Sequence, residues 1–169
     1  MNKALTSPIS RSAIAIGKMS AISLIAALQA SLIIGIALAI GVTFLNPLMI
    51  IPIMGIVILF SLGFSGISVT LAATAKSQET FWGMINLLGM PLFMLSPALF
   101  PLELLPSWLA VIAKLNPVTY TILLVRELMT GVSEGGVPIL LSIGVILAFV
   151  IAMVAIASYV FTREVNKPF

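Results

Sequence analysis

The chain has 169 residues, 61% hydrophobic and 8% charged, with 8 Lys+Arg against 5 Asp+Glu and a net charge of +3. A soluble domain carries about 25% charged residues, so this composition belongs to an integral membrane protein. With no Cys and no His, disulfides, a Cys/His zinc site and a Ser/His/Asp triad are excluded, and the basic excess marks a cytoplasmic face rather than a nucleic-acid partner.

Residues 1–18 lack the short apolar run and small-residue cleavage site of a signal peptide. Within them, "PISRSAIAIGK" at 8–18 reads as a short amphipathic helix. Ile9, Ala13 and Ile16 share one face and Arg11 and Lys18 nearly the opposite one, with Pro8 at the start and Ser7 as a cap. Two roles stand open for it: an anchor on the membrane surface, or a docking element for a soluble cytoplasmic partner. The overlapping "SAIAIGKM" departs from the phosphate-binding loop G-x-x-x-x-G-K-[ST]. Ser12 stands at its first Gly, Met19 at its last position, and no strand precedes it. The chain therefore has no nucleotide site of its own.

Residues 21–44 and 48–75 are uncharged and long enough to span, since a crossing helix needs about 20 apolar residues. A turn, "LNP", joins them at 45–47. The polar stretch "TAKSQETFW" at 74–82 is a cytoplasmic loop with Lys76, Gln78 and Glu79, and Trp82 suits the interface. It serves as a plain connection or, with the 8–18 helix, meets the same partner.

A third span at 80–102 runs between Glu79 and Glu103. Beyond it, 104–113 and 115–125 are too short to cross and suit interfacial or re-entrant segments. Pro91, Pro97, Pro101, Pro106 and Pro117 fall in this region, five of the ten prolines. Each removes a backbone donor, and open backbone at membrane depth must be covered by protein or line a watery cavity. The region thus reads as a span followed by a broken, partly re-entrant hairpin over about 97–126. A last span covers 135–162.

Lys3, Arg11, Lys18, Lys76, Arg163 and Lys167 fall on one side of these spans, and Lys114 and Arg126 on the other. That bias, and the even number of spans, places both termini in the cytoplasm. The expected fold is all-α: a single polytopic domain, 1–169, of four transmembrane helices, a proline-rich extracellular hairpin and a short cytoplasmic helix. Polar residues inside the spans (Gln29, Ser61, Ser65, Ser68, Thr70, Asn86 and Ser142) either pack helices together or touch a substrate. No Asp, Glu, Lys or Arg lies deep in a span, which argues against a proton-coupled carrier and against a channel built on side-chain charges. Around the hairpin, Glu103, Lys114, Arg126 and Glu127 either mark the outer water boundary or form an ion pair of Glu103 or Glu127 with Lys114 or Arg126. Trp108 and Tyr120 fit an outer interfacial belt.

The stretch "PLFMLSPALFPLELLPSWLAVIAKLNPVTYTILLVREL" resembles the last third of ABC-2-type transporter permeases. Their pattern S-G-x-x-F-P-x-x-x-x-P-x-W-L, then L-N-P-x-T-Y and an Arg, is matched by Ser96, Phe100, Pro101, Pro106, Trp108, Leu109, Leu115, Asn116, Pro117, Thr119, Tyr120 and Arg126, with Pro97 where Gly is common. "SPISRSAIAIGK" is similar to the family's loop between spans two and three, and Gln29 falls where these permeases often carry Gln. The resemblance covers essentially the whole chain and looks closest to the multidrug and daunorubicin-resistance branch.

This resemblance implies a multi-pass permease of the cell (inner) membrane. It pairs with a second permease copy and works with an ABC-type ATP-binding subunit that carries the ATP and Mg; this chain itself needs no cofactor. Pro8, Ile9, Arg11, Ile14, Ile16 and Lys18 would form the coupling helix docked on that ATPase. Ser96, Pro97, Phe100, Pro101, Glu103, Pro106, Trp108, Asn116, Pro117, Tyr120 and Arg126 would form a re-entrant lid over the translocation path. Six spans are usual in the family, so the first two are expected to be lacking here. An exporter of an amphipathic drug, lipid or lipid-linked glycan is the leading expectation; the alternative is a truncated, non-transporting assembly or regulatory subunit.

Overall fold

The computed structural model describes residues 11–99 and 101–165. Among them are six α-helices and no strand: α1 Arg11–Ala39, α2 Ile50–Thr74, α3 Gln78–Met94, α4 Ser107–Leu115, α5 Pro117–Thr130 and α6 Ile139–Val165. Of these, Ala13–Ala39, Pro47–Thr74 and Ile139–Arg163 are long and apolar enough to cross a membrane. The chain is a multi-pass membrane protein.

Prolines and short polar caps set where helices start. Asn46 accepts a hydrogen bond from the Leu48 amide and Pro47 opens a 3-10 turn that runs into α2. Ser77 accepts from the Thr80 amide at the start of α3, with Glu79 in its first turn. Such caps satisfy amides that have no partner within the helix, and a carboxylate there complements the helix dipole. α1 stops at a turn where Gly41 adopts φ +90°, a region that glycine enters without steric cost.

Helix α2 lies at the centre, touching α1, α3, α5 and α6. Its contact with α6 depends on two glycines. A Cβ at Gly66 would lie 2.9 Å from the Met153 carbonyl oxygen, and one at Gly63 would lie 3.0 Å from the Phe149 ring. Small residues are what allow membrane helices to approach this closely. α1 joins α2 through Ser23, whose hydroxyl lies 2.7 Å from the Ile58 carbonyl and 2.8 Å from the Ser61 hydroxyl. In hydrocarbon these groups have no water to turn to, so pairing across the helices removes a desolvation cost.

The observed boundaries correct several expectations. The first span is not 21–44 preceded by a separate helix at 8–18: Arg11 to Ala39 is one continuous helix. Nothing between Ser12 and Ala21 breaks it, since Gly17 alone costs only about 1 kcal/mol. Its buried face is Ala15, Met19, Ser23 and Ala27, whereas Ala13 and Ile16 are exposed. The third helix ends at Met94 rather than 102. The Ser96 hydroxyl donates to the Phe93 carbonyl and Pro97 follows, so the helix cannot continue. At 17 residues it is about 25 Å long, shorter than α1, α2 and α6. The last helix starts at Ile139, just after Pro138, instead of at 135, because Gly135 and Gly136 both hold positive φ.

Candidate functional site

The proline-rich region forms a stapled corner. α4 and α5 meet at 91° with one residue, Asn116, between them. A sharp corner exposes the last carbonyls of α4 and the first amides of α5. The L-N-P-x-T-Y residues satisfy them. The Asn116 side chain accepts from the Val118 amide, capping α5, and its amide group donates to the Leu92 carbonyl near the end of α3. Pro117 takes the first position of α5, where no amide is needed. The Thr119 hydroxyl donates to the Ala113 carbonyl at 2.7 Å, and the Tyr120 hydroxyl to the Lys114 carbonyl at 2.8 Å. Asn116 and Thr119 are buried. Pro101 and Pro106, both near φ −55°, play the matching part upstream by starting the 3-10 turn Leu102–Leu104 and α4.

A bend of this size makes the pair either a broken span or a re-entrant loop, and its packing brings its two ends together. Leu102, ahead of α4, packs in one cluster with Ala113 and Leu123, against which Leu105 and Val137 also lie. A Cβ at Gly135 would come within 3.2 Å of Leu102. The two mouths of the hairpin, before α4 and after α5, therefore sit side by side. Farther in, Leu124 packs with Ile146 and Val150, and Tyr120 joins that cluster. Val150 is eleven residues along α6 from Ile139, or about 17 Å at 1.5 Å per residue. Leu92, which binds Asn116, is fourteen residues along α3 from Gln78, or about 21 Å. Both estimates put the corner roughly half way along the bundle.

Sequence expectations for these residues are met unevenly. Asn116 and Pro117 form the corner, Ser96 and Pro97 are buried, and Trp108 is exposed on α4. Phe100 and the side chain of Glu103 lie outside the described residues. Tyr120 is partly buried beside the cluster of Leu124, Ile146 and Val150, and its hydroxyl donates to the Lys114 carbonyl. Of the residues offered for an ion pair, Arg126 pairs with an acidic residue outside that set. Arg126 Nη1 lies 2.9 Å from Glu134 Oε2, and Glu134 sits in the loop after α5. The chain reverses at Gly131, with φ +73°, and that reversal brings Glu134 back beside α5. Glu127 and Lys114 take part in no ion pair among the described residues.

At the opposite end, Lys76, Gln78 and Glu79 are exposed around the α2–α3 turn. The Lys18 ammonium lies 5.4 Å from the Phe161 ring centroid, within cation–π range. Ile14 is partly buried and Ile16 exposed; Pro8, Ile9 and the side chain of Arg11 lie outside the described residues. Of the in-span polar residues, Ser65 is buried and donates to the Leu62 carbonyl at 2.7 Å. Gln29 and Asn86 face outward instead. Ser23 was not singled out from sequence. The signal for Ser23 was present in the small-residue spacing Ala15, Met19, Ser23, Ala27.

The chain matches the family model described as ABC-2 type transporter over residues 1–130. It is similar to proteins bearing the name of a transport permease, ycf38. The one from Pyropia yezoensis is 31% identical over 136 residues, 79% of this chain and 46% of that protein. The one from Porphyra purpurea is 30% identical over 123 residues, 72% and 42% of the two chains. The one from Cyanophora paradoxa is 40% identical over 70 residues, 41% and 24%. The chain thus matches less than half the length of each of these curated relatives. No solved structure matches it.

Proposed function

The chain belongs to the ABC-2 type transporter family, and from that premise we propose that it acts as membrane-spanning permease in an ATP-driven exporter of an amphipathic drug, lipid or lipid-linked glycan. The observation that carries this reading is the stapled corner: a hairpin that enters the bundle, turns at Asn116 and returns beside its own entry. Such an element suits a lid over a path, because its backbone groups are satisfied by its own side chains. It can keep its shape whether lipid, water or cargo lies against it. Spans free of ionisable residues at depth leave no proton relay to drive the cycle, so the work comes from outside the membrane.

In this reading a separate ATP-binding subunit hydrolyses ATP below the Lys76 end, which is the cytoplasmic end. The start of α1, with Arg11, Ile14, Ile16 and Lys18, and the turn at Lys76 to Glu79 receive its motion. Because the start of α1 is continuous with the span, a push on it moves the whole helix as a rigid rod. A second permease copy completes the path. Cargo shifts the balance between inward- and outward-facing states only by its differential contacts with them.

The test is coupling. The chain is coexpressed with its ATP-binding subunit and ATPase activity of the membrane complex is measured for wild type and for the double variant Arg11→Glu, Ile16→Asp. Loss of at least half of the activity, with unchanged membrane insertion, is expected. Unchanged activity would sink the coupling role.

A further inference from the structure

The Lys76 end holds an apolar groove, and Lys18, Lys76 and Gln78, which the permease reading gives to coupling with the ATP-binding subunit, are among the residues that line it. Two cavities adjoin there, of about 380 Å³ and about 320 Å³, each at the scale of small-molecule sites. Ile22, Val69, Ala72, Phe81 and Phe161 line the first, with Lys18 at its edge. Lys76, Ser77 and Gln78 line the second, and Ala72 and Phe81 are common to both. The groove therefore runs over α2, between α1 and α3, to the water boundary. The first cavity is walled mostly by hydrocarbon, with Ser68 and Lys18 its polar side chains, the second carries Ser77 and Gln78 as well, two ammonium groups stand along the groove, and among the described residues no carboxylate lines either cavity. Glu79 is on the same turn of α3 as Gln78 but outside both.

We infer that this groove binds an anionic phospholipid of the leaflet at the Lys76 end. One acyl chain lies along Ile22, Val69 and Ala72, and the headgroup phosphate rests between Lys18 and Lys76. The choice of occupant follows from complementarity. A peptide segment would bring backbone donors and acceptors into the first cavity, whose polar side chains are Ser68 and Lys18, at a desolvation cost. An acyl chain brings none. Lipid tails are as apolar as the groove, so the chain by itself gains little by entering, and selectivity falls to the headgroup. Lys18 is held at its post by the Phe161 ring, and basic pockets between helices at this depth favour acidic headgroups.

The full chain carries only two tryptophans. In a Trp108→Phe background the remaining one, Trp82, lies beside Phe81 with ring centroids 5.4 Å apart and reports on the groove. The protein is reconstituted in phosphatidylcholine bilayers and titrated with chain-brominated phosphatidylglycerol or chain-brominated phosphatidylcholine. No nucleotide or ATP-binding subunit is present, so the result does not depend on the transport reading. Trp82 is expected to be half-quenched at a mole fraction of the anionic lipid several-fold lower than of the zwitterionic one, about five-fold for each lysine engaged. Lys18→Gln with Lys76→Gln should bring the two lipids together. Arg163→Gln, which removes an exposed cation of the same end that lines neither cavity, should leave the preference intact. Ala72→Phe should lower quenching by the anionic lipid. Equal quenching by both lipids in the otherwise unaltered chain overturns the inference. So does loss of the preference in Arg163→Gln, which would mean diffuse surface attraction instead of a site.

Discussion

Asn116 does more for the corner than any charged residue near it. Its buried side chain caps α5 and also occupies the Leu92 carbonyl, both in partly buried surroundings. Loss of an N-cap costs about 0.5–2 kcal/mol, and a buried carbonyl left unpaired about 1–3 kcal/mol more. Asn116→Ala should therefore destabilise the protein by about 3 kcal/mol, read as a fall in the thermal midpoint in detergent. Asn116→Ser can still cap α5 but is too short to reach Leu92, so it should recover only the cap, about 1 kcal/mol. Full rescue by Ser would show that the Leu92 bond contributes nothing. The Arg126–Glu134 pair makes an instructive contrast. Its side chains are 32% and 37% exposed, and ion pairs in such settings are worth about 0–1 kcal/mol. Glu134→Gln should shift stability by less than about 1 kcal/mol, and a larger loss would show that the pair closes the hairpin rather than decorating it.

Between elements, the α2–α6 contact is the tightest and the least forgiving. At Gly66 an added methyl meets the Met153 backbone at 2.9 Å, whereas at Gly63 it meets the Phe149 ring and Val150 side chain at 3.0 and 3.1 Å. A side chain can rotate away; a helix backbone must move as a unit. Gly66→Ala should cost about 1–3 kcal/mol by overpacking, and Gly63→Ala clearly less. Equal thermal midpoints for the two variants would contradict this. Helix α1 shows a different limit of element-scale reading. A pattern of Ile and basic residues over 8–18 suggested a separate surface helix, but a helix continues wherever no breaker intervenes. Which of its faces is inside was decided by the small residues Ala15 and Ala27 and by Met19 and Ser23, which fit against α2 and α6.

For the molecule as a whole, contacts between distant segments bring particular ends together. The Leu45 amide donates to the Met129 carbonyl, so the α1–α2 turn and the end of α5 lie together. Leu102 near Gly135 places the entry of the hairpin there too. The native chain has no cysteine, so single cysteines give clean labelling. In intact cells a membrane-impermeant maleimide should label Leu99→Cys and Ser133→Cys alike, and Gln78→Cys only after permeabilisation. Opposite accessibility of positions 99 and 133 would make α4 and α5 one broken span. Accessibility of position 78 alone would invert the orientation.

By itself the sequence determined the environment and most of the elements. A chain so poor in charge must live in lipid, where every backbone group has to be bonded internally, and that leaves helices as the form for uncharged runs of this length. It also located the break, because prolines cannot sit inside a helix without loss of a bond. Helix ends were less legible: Met94 and Ala39 close their helices where Ser96 and Gly41 offer a better set of local bonds than another turn would. What only the tertiary structure decided is which groups meet across sequence. Asn116 finding Leu92, Arg126 finding Glu134 instead of Glu127, and Lys18 finding the Phe161 ring all depend on how the helices pack. Packing in lipid is chosen by close fit and by hydrogen bonds between particular side chains, and neither leaves a period in the sequence to read.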